Sequence, residues 1–158
     1  MPATMPAQVG FRHLCNLVCV WEGDDDKVLA SLDLHTPQAD QAKVRTRAVC
    51  AWNWVQDHAP ESFRFRLRAA GSALLAFGEE ERRALRLLAA EVREKLAGHD
   101  EKSLSEAIYR IAGEAGLDPK AFFKVVYRGL IEKEQGPRLA GFLLILGRER
   151  VLDLLGGY

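Results

Sequence analysis

Apolar residues recur every three or four positions along almost the whole chain, the period of a helix that buries one face. Phe11 to Trp21 puts Leu14, Leu17, Val18 and Trp21 on one side. Gly23-Asp24-Asp25-Asp26 breaks the pattern, then caps a short helix through Val28, Leu29 and Leu32 with acid at its N-terminus. Thr36-Pro37 reads as N-cap and first residue of a helix that runs to His58 and buries Val44, Ala48, Ala51 and Val55. Ala59-Pro60 ends it, because a residue before proline is pushed out of the helical region.

The period changes at Phe63-Arg64-Phe65-Arg66-Leu67-Arg68, where apolar and basic residues alternate. Period two normally marks a strand, but no partner strand lies nearby, so an extended connector is expected. Helical spacing resumes after Phe77-Gly78: Glu79-Glu80-Glu81 fills a first turn, and Leu85, Leu88, Ala89, Val92 and Leu96 form the buried stripe before Gly98. Ser103-Leu104-Ser105-Glu106 has capping-box spacing, with Ser103 as N-cap of a helix that buries Leu104, Ala107, Ile108 and Ile111 and stops at Gly116. Asp118-Pro119 starts another through Phe122, Phe123, Val126, Tyr127, Leu130 and Ile131. Gln135-Gly136-Pro137 makes a tight turn before two final helices, Arg138 to Leu146 and Arg148 to Leu155, parted by Gly147. The expected fold is therefore all-α, a helical bundle in two packed lobes. Residues 1–10 are read as a flexible N-terminus, 11–70 as the N-terminal lobe and 79–158 as the C-terminal lobe, with the linker near 69–78.

The 158 residues carry 22 basic and 22 acidic side chains, which excludes a uniformly basic nucleic-acid binder. At 48% hydrophobic the chain has enough apolar surface for a core, and whole-chain disorder is excluded. The longest apolar run, Leu139 to Leu146, is too short to span a bilayer. The N-terminus carries no basic region, so a secretory signal is not expected and a cytoplasmic location is.

Candidate chemistry is sparse. No Gly-rich phosphate loop, H-E-x-x-H or G-x-S-x-G occurs. Cys15 and Cys19, four apart with His13 nearby, could be a metal half-site or two small residues on a core face. The second reading is taken, and no metal site is expected, because zinc cysteines lie on turns with a second ligand pair. Trp52 and Trp54 cannot share a helix face, so one is assigned to the core and the other to a lobe boundary or the surface, where it could stack on a base or anchor a protein. Arg64, Arg66 and Arg68 would share a side if extended, as phosphate contacts or as a solvated face. Glu132-Lys133-Glu134-Gln135-Gly136-Pro137-Arg138 is an inter-helix loop, or else a rigid turn that offers Lys133, Arg138 and backbone groups to an anion or an exposed base.

Several of these segments together are recognisable. Gly116-Leu117-Asp118-Pro119-Lys120-Ala121-Phe122-Phe123, then Val126-Tyr127-Arg128-Gly129-Leu130-Ile131, then Lys133 to Arg138, then Leu146-Gly147-Arg148-Glu149-Arg150-Val151-Leu152 form one pattern. With Trp54-Val55, Ala59-Pro60-Glu61, Arg64-Phe65 and the Phe11-Arg12-His13-Leu14 opening, it resembles the C-terminal anticodon-binding region of class I lysyl-tRNA synthetases. The ending also resembles the related glutamyl-tRNA synthetases. The resemblance implies a helical cage that grips an anticodon stem-loop, most directly that of lysine tRNA. It implies contacts by Gly136, Pro137, Arg138 and Leu139, with Lys133 beside them and Tyr127 near the same surface. Glu132 stands where the family often has Gly, and Gln135 where it is often basic.

Class I synthetases activate the amino acid on a Rossmann-type domain with H-I-G-H-like and K-M-S-K-S-like motifs, and neither occurs here. The resemblance therefore implies a non-catalytic module of a lysine–tRNA ligase. It would need no cofactor itself, its parent's catalytic domain would use ATP and Mg, and that domain and tRNA would be its partners. The alternative is a helical protein-interaction module derived from such a domain. Charge is polarised in the sense an RNA-facing surface requires: residues 119–158 hold seven basic and four acidic side chains, residues 1–35 two and five.

Overall fold

The computed structural model describes residues 8–32 and 38–158, and the expected Thr36-Pro37 cap lies outside them. The described residues form helices without strands. They divide into two compact units, Met1–Arg66 and Leu67–Tyr158.

In the first unit, α1 (Phe11–Val20), α2 (Asp25–Ser31) and α3 (Gln38–Asp57) pack on one another. Leu14, Leu17 and Val18 of α1 face Val44, Ala48, Ala51 and Val55 of α3, all at most 1% exposed. Asp24 caps α2 by accepting the Lys27 N–H. Gly23 adopts φ +80° in the link and lies directly against the Trp52 ring. After a 3-10 turn at Glu61–Phe63 the chain runs extended, as the alternation at 63–68 required.

The second unit packs α4 (Glu79–Lys95), α5 (Glu101–Glu114), α6 (Pro119–Ile131) and α7 (Leu139–Leu155), each touching the other three. Phe122, Phe142, Leu85, Leu88, Leu104, Ile108 and Leu143 fill its core. The segment leading into α4 is tied to this unit: Arg68 N–H donates to the Leu130 carbonyl at 2.9 Å, and Leu75 N–H to the Tyr158 hydroxyl at 2.9 Å.

The capping box at the start of α5 is present but lies three residues earlier than expected. Asp100 is the N-cap and Ser103 the third helical residue: Ser103 N–H donates to Asp100 Oδ1 at 2.7 Å, and Asp100 N–H to Ser103 Oγ at 3.1 Å. An ionised carboxylate is a stronger acceptor for a helix N–H than a hydroxyl, so Asp100 takes the cap and the helix gains its first residues. At the other end Gly116, φ +76°, closes α5 with Gly116 N–H to Gly113 O and Leu117 N–H to Ala112 O, a Schellman motif. Asp118 caps α6 and Pro119 opens it. Gly147, φ +78° and ψ 166°, interrupts α7 where the sequence places a break between two helices.

Candidate nucleic-acid interface

The turn after α6 is pinned from beneath. Ile131 ends the helix, and Glu132 closes it in the left-handed region with φ 57°. Residues 133–138 then lead to Leu139 at the start of α7. Tyr127, one helical turn before the end of α6, is 8% exposed, and its hydroxyl donates a short hydrogen bond to the Pro137 carbonyl. Burial pushes the phenol up to about 12, so the proton stays in place at neutral pH and the donor is constant. Gly136 rests on the same ring: a Cβ there would stand 3.0 Å from Tyr127 Cδ1 and Cε1 and from Ile131 Cδ1.

This support makes a prediction. Tyr127→Phe keeps the ring and removes the donor, leaving a part-buried carbonyl without its partner. It is expected to cost about 1 kcal/mol of stability and to speed amide exchange in residues 133–138. Unchanged exchange there would mean that ring packing alone holds the turn.

Turn and helix together line a groove of about 650 Å³. Pro119, Phe123, Tyr127 and Leu139 give it apolar walls, and Lys120, Lys124 and Arg138 bring three cations to it. Two acidic groups are also present. Asp118 is engaged as the α6 cap, and Glu134 Oε2 lies 3.5 Å from Lys124 Nζ. Arg138 is 85% exposed, with Nη1 3.1 Å from Glu101 Oε1 on α5. Both bridges are solvated and weak enough for a stronger anion to compete.

Of the residues singled out in the sequence, Tyr127, Gly136, Arg138 and Leu139 converge on this groove. Pro137 and Lys133 are half-buried and outside its lining. Tyr127 and Leu139 act as support, since both are nearly buried. Sequence reasoning missed Lys120, Lys124 and Phe123 as groove residues. A signal for Phe123 was available: Phe122 and Phe123 are adjacent, and a helix turns about 100° per residue. Only Phe122 is fully buried, leaving Phe123 half-exposed on the groove.

Other candidates resolve into structure. Cys15 and Cys19 are core residues at 1% and 2% exposure, and burial pushes the Cys15 thiol up, with Cys19 adding to it, which disfavours the thiolate a metal would need. Trp54 packs edge-on to Phe11 at 5.2 Å and Phe63 at 5.5 Å, and Trp52 lies on Gly23; both rings are half-buried within the first unit, so neither is the core residue expected of the pair. The one carboxylate grouping dense enough for a cation among the described residues is Asp24, Asp25 and Asp26. Asp24 caps α2, while Asp25 and Asp26 hold Arg45 at 2.5 and 2.7 Å. Arg68 is 6% exposed in its side chain and bonds the Gly129 and Ala73 carbonyls and the Tyr158 hydroxyl, so it braces the second unit instead of facing solvent. Arg66 pairs with Glu22 at 3.0 Å.

A buried polar chain joins α4 to α5. Glu91, 8% exposed, accepts from His99 Nε2 at 3.0 Å and from Arg110 at 3.1 Å, and His99 Nδ1 lies 2.9 Å from Ser103 Oγ. Ser103 Oγ already accepts the Asp100 N–H, so the chain of serine, histidine and glutamate staples a helix start.

A lysine–tRNA ligase of Treponema pallidum is 38% identical over 160 residues, covering 100% of this chain. The same enzyme of Borreliella burgdorferi is 36% identical over 155 residues, and that of Thermococcus kodakarensis 33% over 164, each covering 98% of it. The chain is a homologue of one segment of the lysine–tRNA ligases. It spans about 30% of the length of these relatives. No family model matches it. In this ligase-related chain the groove lies wholly within the second unit, and all of its lining except Asp118 falls in residues 119–158, which hold seven basic and four acidic side chains. No helix among the described residues is long and apolar enough to cross a membrane.

Proposed function

We propose that the chain is the anticodon-recognising module of a class I lysine–tRNA ligase, its C-terminal part, and that it works in the cytoplasm without catalysing aminoacylation. ATP, magnesium and the chemistry then belong to the remainder of the ligase, which is also its protein partner. The observation that carries this reading is the groove between α6 and the 132–138 turn. An apolar, ring-bearing floor with Lys120, Lys124 and Arg138 around it suits an unstacked base and its phosphates. Homology to lysine–tRNA ligases supplies the choice of RNA. The rival reading, a protein-interaction module anchored by Trp52 or Trp54, is weakened because both rings are used in packing.

The test is binding of the chain to lysine tRNA and to the same tRNA with altered anticodon bases. Tighter binding of the unaltered RNA is expected, and equal affinities would remove the specificity claim. Arg138→Ala is expected to weaken binding and to lower the dependence of log affinity on log salt by about one charge. A variant that keeps both the affinity and the salt slope would exclude Arg138 as a phosphate contact.

A further inference from the structure

A second groove adjoins the first. It holds about 580 Å³ and shares Phe123, Arg138 and Leu139 with it, while Ser105, Ile108 and Tyr109 of α5 form its far wall. Tyr109 is 54% exposed, and among the described residues of the second unit it is the exposed aromatic ring. Its orientation is fixed. The ring meets Phe123 edge-on at 5.8 Å and 88°, and Phe123 meets the fully buried Phe122 at 6.4 Å and 66°. Three rings thus run from the core to the surface, and the outermost leaves more than half its area open.

Arg138 stands between the two grooves and lines both. A single-stranded RNA repeats as base, phosphate, base. Two ring-lined grooves flanking one guanidinium have the same order of chemistry.

We propose that Tyr109 is the stacking seat for a second unstacked base of the RNA loop, next to the base held in the α6 groove, with Arg138 on the phosphate between them. This rests on the anticodon reading above. To reach that phosphate Arg138 leaves Glu101, a solvated bridge that yields to a doubly charge-assisted competitor. The rim of the second groove is electrically balanced, Lys102 and Arg138 against Glu101 and Glu106. Binding at Tyr109 therefore comes from ring stacking and changes little with salt, unlike the contribution of Arg138.

The test uses the full chain and a stem-loop RNA bearing the lysine anticodon, with a second RNA lacking one loop base at a time. Tyr109→Ala is expected to weaken binding about tenfold at both low and moderate salt, with the salt slope unchanged and the helical content retained. Tyr109→Phe keeps the ring and should bind as the parent does. For one abasic position, the loss seen with the parent chain should vanish with Tyr109→Ala, because both changes remove the same stack. Lys124→Ala, confined to the first groove, reports the anticodon reading separately.

If Tyr109→Ala binds like the parent while Lys124→Ala is weakened, the second seat is wrong and the anticodon reading stands. If both variants bind like the parent, both fail. A Tyr109→Ala loss that is the same on every abasic RNA would overturn the proposal, since the residue would then touch no base. Loss of association with the remaining ligase, with RNA binding intact, would overturn it in favour of a protein contact.

Discussion

Replacing Gly23 by alanine is expected to lower the stability of the first unit by about 2–5 kcal/mol. Two costs add. Gly23 holds φ +80°, a region that costs an L-residue about 1–2 kcal/mol. A Cβ there would also stand 2.5, 2.6 and 2.8 Å from Trp52 Nε1, Cε2 and Cδ1, and such overpacking costs about 1–3 kcal/mol. The indole is not the loose end of a flexible side chain. It is a rigid ring projecting from α3, so it makes room only by changing rotamer or by a shift of the helix. The measurement is urea unfolding followed by tryptophan fluorescence. All three tryptophans, Trp21, Trp52 and Trp54, lie in the first unit, so the signal reports it selectively. Gly116→Ala in the second unit, followed by that unit's tyrosine signals, is the matched control. Its φ is +76° but nothing lies within 4 Å of the point where its methyl group would stand, so only the conformational cost applies. A Gly23→Ala transition at the parent's urea midpoint would show that neither cost applies, and a loss no larger than that of Gly116→Ala would show that Trp52 gives way freely.

Glu91→Gln should cost the second unit about 2–3 kcal/mol at neutral pH, and the cost should depend on pH. Burial by itself would raise the Glu91 carboxyl. Hydrogen bonds from His99 and Arg110, with the charges of Lys95 and Arg110, outweigh that and hold it below its ordinary 4.5. A carboxyl depressed in the folded state stabilises above its unfolded pKa, and that stability is lost as pH falls through the folded value. The gap between parent and Glu91→Gln is therefore expected to be full at pH 7 and to close below about 4.5. Asp24 and Asp100 are also depressed, chiefly by the backbone N–H groups they cap, so the parent loses further stability in acid. The variant isolates Glu91 because those caps are common to both chains. Thermal unfolding followed by near-ultraviolet tyrosine signals suits this unit, which holds Tyr109, Tyr127 and Tyr158. A gap that stays constant down to pH 3 would mean that the amide fails for packing reasons and that the charge is irrelevant.

Local chemistry written into the chain determined much of this protein. Helical periodicity named the buried stripes, and Val44, Ala48, Ala51 and Val55, like Leu85, Leu88 and Val92, are at most 1% exposed. Glycines and capping residues marked the element ends, from Asp24 and Gly116 to the break at Gly147, because a left-handed backbone or an orphan N–H restricts the residue that can serve it. The resemblance across residues 103–152 was carried by the same kind of short-range pattern and led to the ligase homology.

Tertiary structure decided what a one-dimensional period cannot encode: which of two adjacent aromatics meets solvent, and which charges meet across helices. Phe122 and Phe123 read alike in sequence, but the packing of α5 and α7 buries one and leaves the other on a groove. Arg66 and Arg68 continue one alternating run, yet Arg68 is drawn inward by carbonyls 61 and 5 residues away and a hydroxyl 90 residues away. Tyr127 was legible as near the turn. Its hydroxyl reaching the Pro137 carbonyl, and so its service as support beneath the surface, depends on how α6 meets α7. Burial and long-range pairing are properties of the assembled helices. The sequence states which residues are capable of them, and only the packing selects those that take part.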